Sequence, residues 1–172
     1  KGLLGFVGGP FTLFCYAVEG SHAGGLVHSR KGLKDGRFEG FNERLLELLA
    51  ENMALQARGG ADTVAVLDTC AGEVDPAVYA ESVVPSLRRL LERFKVLCPS
   101  TPVTYYSKGT GPKHWESLRG LPIACLGVDW HHDIAQVLND WGNEWAIQGN
   151  VDPEWLFLDP RELEKKLRGL FE

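Results

Sequence analysis

The stretch TVAVLDTCAGEVDPAVYAESVVPSLRRLLERF (63–94) holds a strand, a polar turn and a helix in that order. Val64–Leu67 is an apolar run with β-branched content that breaks off at Asp68, Thr69 and Cys70, as a buried strand does at its end. Asp75-Pro76 then supplies an N-cap followed by proline at the first helical position. Beyond it Val83, Val84, Leu87, Leu90, Leu91 and Phe94 recur on one helical face. Strand, turn and helix together make a βα unit, and repetition of that unit requires parallel strands joined by crossovers.

The unit does repeat. Strands are expected at 3–8, 63–67, 102–106, 122–128 and 145–149. Before the second of them, Phe41, Leu45, Leu48, Leu49, Asn52, Met53 and Gln56 trace a mainly apolar helical stripe that stops at Gly59-Gly60. Ile134, Val137, Leu138 and Trp141 mark another helix, and a second Asp-Pro start at Asp159-Pro160 leads to Leu163, Leu167 and Leu170 on one side. The fold class is therefore α/β with a mostly parallel sheet, its closure left open by the pattern alone. Residues 20–40, rich in glycine and basic side chains, read as a long surface loop able to serve as a lid.

At 172 residues, with 44% hydrophobic and 24% charged residues, the chain suits one sizeable core and a single domain over 1–172. The net charge of -5 and the scatter of basic residues leave no footprint for nucleic acid or a membrane surface, so a small-molecule partner is favoured. No apolar run suggests a transmembrane helix and no leader pattern opens the chain, which makes the cytoplasm the default location. Lys1 leads straight into an apolar run and the chain stops inside a helical pattern at Phe171-Glu172, so a segment of a longer protein is expected. Cys15, Cys70, Cys98 and Cys125 lie far apart with no C-x-x-C pair, which favours reduced, mostly buried thiols.

The expected strands share a habit: each exits into polar or glycine-rich residues, namely Gly8-Gly9-Pro10, Asp68-Thr69-Cys70, Ser107-Lys108-Gly109, Asp129-Trp130-His131-His132 and Gly149-Asn150-Val151-Asp152. In parallel α/β proteins the strand C-termini form one face, where ligands bind. Cys70 as a nucleophile would need His131 or His132 as its base, and a cysteine ending a buried strand is more often a small core residue. A zinc site from Cys70, Cys125, His131 and His132 lacks a tight ligand pair. Gly5-Phe-Val-Gly-Gly-Pro10 is not a dinucleotide fingerprint, because the spacing differs and Pro10 removes an amide from the turn. Lys108 reads first as solvated and second as a cation for an anionic substrate.

Four segments carry a resemblance. GFVGGPFTLFCYAVEG (5–20), LDTCAGEVDP (67–76), LGVDWHHDI (126–134) and QGNVDP (148–153) resemble, in order, four motifs of the uroporphyrinogen decarboxylase family. The resemblance spans essentially the whole chain but only the middle and later part of that family's (β/α)8 TIM barrel, with about five βα units standing for its third to seventh strands. It implies that the first two strands and the last lie elsewhere, together with the family's arginine-rich loop, an aspartate that binds pyrrole nitrogens and a late histidine.

The implied activity is decarboxylation of the four acetate side chains of uroporphyrinogen to give coproporphyrinogen, with no metal or organic cofactor. The implied partner is this anionic tetrapyrrole, and a homodimer is expected. By motif, Tyr16 is similar to the family's active-site tyrosine, which hydrogen-bonds a substrate carboxylate. Thr69 is similar to a serine or threonine that donates to a substrate carboxylate, and Phe6 to a phenylalanine at the cleft. Cys70 is expected to fill space beside Thr69, Asp129-Trp130 to shape the rim, and Asn150 and Asp152 to organise a turn. A lid role for His22, His28, Arg30 or Lys31 is a further expectation. Competing readings are a corrinoid-dependent methyltransferase of the same superfamily, whose zinc ligands have no counterpart at Thr104-Tyr-Tyr-Ser-Lys108, and a non-catalytic barrel fragment.

Overall fold

The computed structural model describes residues 1–20 and 25–170. β1 (Leu4–Gly8) runs into α1 (Pro10–Glu19), α2 (Val27–Gly32) and α3 (Arg37–Arg58) before β2 (Thr63–Leu67). α4 (Pro76–Val78) continues through a π turn into α5 (Val84–Leu97), followed by β3 (Val103–Tyr106), α6 (Pro112–Trp115), β4 (Cys125–Val128), α7 (Ile134–Trp141), β5 (Ala146–Gly149) and α8 (Pro160–Gly169). The strands form one sheet in the order β1-β2-β3-β4-β5, and every neighbouring pair is parallel. All five expected strands are present, β4 beginning three residues later than the apolar run that announced it. A sheet that adds one parallel strand per βα unit, always on the same side, is a partial TIM barrel.

The register separates the two faces. Val7, Val64, Val66, Val103, Tyr105 and Leu126 share the face covered by helices, where α5 contributes the fully buried Leu87, Leu90, Leu91 and Phe94. Leu4, Phe6, Ala65, Thr104, Tyr106 and Cys125 alternate onto the opposite face. No helix among the described residues covers that face near β1, and Phe6 is 63% exposed there.

α3 and α5 pack against each other through a buried hydrogen bond from Asn42 Nδ2 to Ser86 Oγ (2.7 Å), flanked at the surface by Arg89–Glu39 and Arg93–Glu47 ion pairs. The helix announced by Asp75-Pro76 is capped as expected, the Asp75 carboxylate accepting from the amides of Ala77 and Val78. It is interrupted by the π turn Tyr79–Val83 because Pro85 has no N–H to return to the carbonyl of Glu81.

Two expectations are corrected. Residues 25–40 are not a loop: α2 and the start of α3 occupy them, and Gly32 lies where any Cβ would strike the Phe14 ring at 2.4 Å. Basic and glycine-rich composition hid a short helix whose glycine serves close packing. The buried row of α3 is Phe38, Asn42, Leu46, Leu49 and Met53, whereas Leu48 is 70% exposed and Phe41 and Leu45 are only partly buried. The stripe was read one position around the helix, because leucines on both flanks blur its centre.

The edge of β1 carries an unusual clasp. The Gln56 side-chain amide accepts from the backbone N–H of Phe6 (2.7 Å) and donates to its carbonyl (3.0 Å), occupying one rung as a neighbouring strand would. No helix among the described residues is long and apolar enough to cross a membrane.

Candidate active site

The turns that follow the strands are tied into one belt. Gly9 donates to the Leu67 carbonyl (2.8 Å) and starts α1, and a Cβ at Gly9 would lie 2.5 Å from the Asp68 carboxyl carbon, so only glycine admits Asp68 here. Asp68 is fully buried and accepts three hydrogen bonds: from Thr12 N–H (3.1 Å), Thr12 Oγ1 (2.6 Å) and the Tyr105 hydroxyl (3.2 Å). The Tyr79 hydroxyl lies 2.8 Å from that of Tyr105 and, with Tyr105 committed to Asp68, donates to it. Burial pushes the Asp68 carboxyl up from its ordinary range, and burial also raises both tyrosines.

Thr12 works in two directions. Its hydroxyl oxygen also accepts from the Cys70 N–H (3.0 Å), so one side chain of α1 contacts both neighbours of Thr69. Tyr16 follows Thr12 by four residues, one turn along the same row of α1, and is 48% exposed. Thr69 is half-buried. The clasp therefore brings the helix carrying Tyr16 onto the turn carrying Thr69, while Phe6 stands apart on the helix-free face of β1.

Past β3, Gly72 donates to the Lys108 carbonyl (3.1 Å), joining the second and third turns. Asp129 joins the third and fourth: its carboxylate accepts from Gly109 N–H (2.7 Å) and His131 N–H (3.0 Å), and meets His131 Nδ1 at 3.0 Å. Burial pulls this carboxyl up, but the donors of Gly109 and His131 outweigh it and hold the group below the usual carboxylate range. His132 Nε2 donates to the Thr110 carbonyl (2.7 Å), and Asn150 Nδ2 donates to the His132 carbonyl. Asp129 thus joins the turns after β3 and β4, Asn150 ties the turn after β5 to His132, and Asp152 caps a short 3-10 turn by accepting from Glu154 N–H (2.9 Å). A cleft of about 390 Å³ opens between the ends of β4 and β5, lined by Trp130, His132, Asp133, Asn150, Asp152 and Trp155 among others. Tyr16, Thr69 and Phe6 do not line it.

The sharper chemistries weighed from sequence are not assembled. Cys70 faces Thr12 and Cys15, whereas the two histidines named as its base, His131 and His132, are engaged by Asp129 and Thr110. Cys125 lies on β4, on the other face from Asp68, and no group of three or more His, Cys, Asp and Glu able to hold a metal occurs among the described residues. Lys108 lies 5.7 Å from the Trp130 ring centroid, a cation resting on the rim. Of the lid candidates, Arg30 donates to the Glu73 carbonyl (2.5 Å), the His28 carbonyl accepts from Arg37 (3.2 Å), Lys31 is exposed in α2, and His22 lies outside the described residues. Arg30 thus fastens α2 to the turn after β2 rather than hanging over a cleft. Sequence reading missed Thr12; the signal was its place four residues before Tyr16, facing an acid that ends a strand.

Comparison with known proteins agrees with this architecture. The family model described as Uroporphyrinogen decarboxylase (URO-D) matches residues 1–172. The chain is 31% identical to the uroporphyrinogen decarboxylase of Pelobacter propionicus over 172 residues, covering 99% of this chain and 50% of that protein. It is 33% identical to that of Synechococcus sp. (strain JA-3-3Ab) over 95% of this chain and 45% of the relative. It is 30% identical to the chloroplastic uroporphyrinogen decarboxylase 1 of Oryza sativa subsp. japonica over 90% of this chain and 39% of the relative. The chain spans about half the length of the curated relatives it matches.

Proposed function

The chain belongs to the uroporphyrinogen decarboxylase family, and from that premise we propose that it is the middle and later part of an enzyme that removes the carboxyl groups of the four acetate side chains of uroporphyrinogen III to give coproporphyrinogen III. The observation that supports this most directly is the Thr12 clasp, which fastens the helix that carries Tyr16 to the turn that carries Thr69. Two hydroxyl donors held at one strand-end rim suit the carboxylates of an anionic substrate. Phe6, exposed on the barrel-facing side of β1, supplies apolar surface for the macrocycle.

The chemistry can proceed on the substrate's own ring. Protonation of a pyrrole carbon makes that ring an electron sink; the bond from the acetate methylene to its carboxylate then breaks, the electron pair flows into the ring and CO2 leaves. Protonation of the resulting exocyclic methylene gives a methyl group, and loss of the proton first added to the ring carbon restores the aromatic pyrrole. The protein's part is a preorganised set of donors around the carboxylates and exclusion of water from the ring. Tyr16 and Thr69 hold carboxylates in this scheme, and the proton donor comes from the remainder of the barrel. A single-domain barrel, a homodimer and a cytoplasmic location belong to the same proposal.

The test uses the full-length protein with uroporphyrinogen III under reducing conditions, with products separated by the number of carboxyl groups they retain. Stepwise loss of four carboxyls is expected, and intact mass should show a polypeptide about twice this length. Absence of any decarboxylated product from a folded, full-length preparation overturns the proposal.

A further inference from the structure

Behind the two candidate substrate-binding hydroxyls lie two thiols. Cys15 precedes Tyr16 and Cys70 follows Thr69, and both are 1% exposed. Thr12 and Cys15 are three apart on α1 and so share a face, and that face is the one whose Thr12 hydroxyl oxygen accepts from the Cys70 amide. The two thiols thus lie on facing sides of this contact, and each perturbs the other's proton affinity. Fifty-four residues separate them in the chain, so the contact joins two different βα units. Neither sulfur has a part in the proposed decarboxylation.

We propose that Cys15 and Cys70 form a dithiol modification site, which a small-molecule disulfide oxidises to a protein disulfide linking α1 to the turn after β2. One thiol, as thiolate, attacks one sulfur of the reagent and expels one equivalent of small thiol, leaving a mixed disulfide. The other then loses its proton to solvent, attacks the protein sulfur of that mixed disulfide and expels the second equivalent. Two protein thiols are oxidised and one reagent disulfide is reduced to two thiols. Burial sets the pace: the reagent reaches Cys70 only when α1 lifts from the turn, so the reaction follows local opening. The product fastens Tyr16 and Thr69 to one another from behind, a consequence that rests on the proposed function, whereas the linkage itself does not.

The experiment incubates the full-length protein with excess oxidised glutathione, quenches with an alkylating agent in denaturant, and maps peptides by mass without reduction. A Cys15–Cys70 linked peptide is expected, two hydrogens lighter than the sum of its parts, with the urea midpoint raised and both changes reversed by dithiothreitol. Cys98 and Cys125, each partly exposed, should carry only glutathione. Cys15→Ser should arrest Cys70 as its glutathione adduct. Recovery of Cys15 and Cys70 as alkylated thiols, or linkage of either to another cysteine, overturns the proposal. Failure of decarboxylation with the linked peptide present would count against the proposed function alone.

Discussion

At the scale of single residues, Asp68 and Asp129 each directly follow the last residue of a strand, β2 and β4, but answer pH in opposite directions. Asp68 is raised by burial, so the unfolded chain releases this proton first and stability falls as pH climbs through the ordinary carboxylate range toward the native value. Asp129 is lowered on balance, so its contribution is complete above the ordinary range and is lost as pH falls through the native value. Asp129→Asn should therefore cost roughly 1–3 kcal/mol near neutral pH, the loss of a buried charged acceptor from the Gly109 and His131 donors, with the deficit shrinking in acid. Asp68→Asn should flatten the fall with rising pH. Urea midpoints of both variants across that range check the two signs. On the proposed function, Tyr16→Phe in the full-length protein should lower turnover by about 10- to 100-fold, the worth of one hydrogen bond to a charged group, while Cys70→Ala under reducing conditions should leave it nearly intact. Steady-state rates on uroporphyrinogen decide this, and full loss in a folded Cys70→Ala protein would make the thiol a participant. Thr69 draws attention in the sequence because a hydroxyl at a strand end recurs in a motif, a signal whose functional meaning belongs to the proposal. Thr12 does not, since its role exists only once α1 folds back over the turn.

At the scale of elements, the strands and two helix starts were open to reading because each depends on local signals: an apolar run, or an Asp-Pro pair whose carboxylate caps the next turn. What escaped depends on neighbours. The face of α3 that is buried is set by where α5 and the sheet lie, and Leu48 and Leu55, seven residues apart, form a row that nothing among the described residues covers. The Gln56 clasp is likewise invisible in sequence, where Gln56 looks like the polar end of a stripe. It blunts one rung of an edge that could pair with another chain. Gln56→Leu in the 172-residue chain should destabilise by about 1 kcal/mol and increase self-association, because the Phe6 amide and carbonyl are freed for a foreign strand. Sedimentation velocity at matched concentrations measures the second effect, and an unchanged distribution would mean that the clasp does not guard the edge.

At the scale of the whole molecule, strand order equals chain order, so each strand of the sheet pairs only with its sequence neighbours. Burial is uneven along the series: β2 and β3 are mostly buried, β5 is largely exposed, and α8 has no buried residue although Leu163 and Leu167 share an apolar groove with Leu156 and Leu158. A closed barrel ties its last strand to its first; a series of five has no such return contact. The 172-residue chain should therefore behave thermodynamically as a one-dimensional array, in which stability is a sum of unit and nearest-neighbour terms and disorder at one end need not reach the other. Hydrogen exchange should show amides of 146–169 opening well before those of 63–67 and 103–106, with the belt at Asp129 and Asn150 marking the boundary. Uniform exchange across all five strands would show instead that the array melts as one body. In a closed barrel, by contrast, ring closure would convert a row of separately fraying units into a single cooperative one, and the turns after β1 and β2 would gain their constancy from a seam formed far from them.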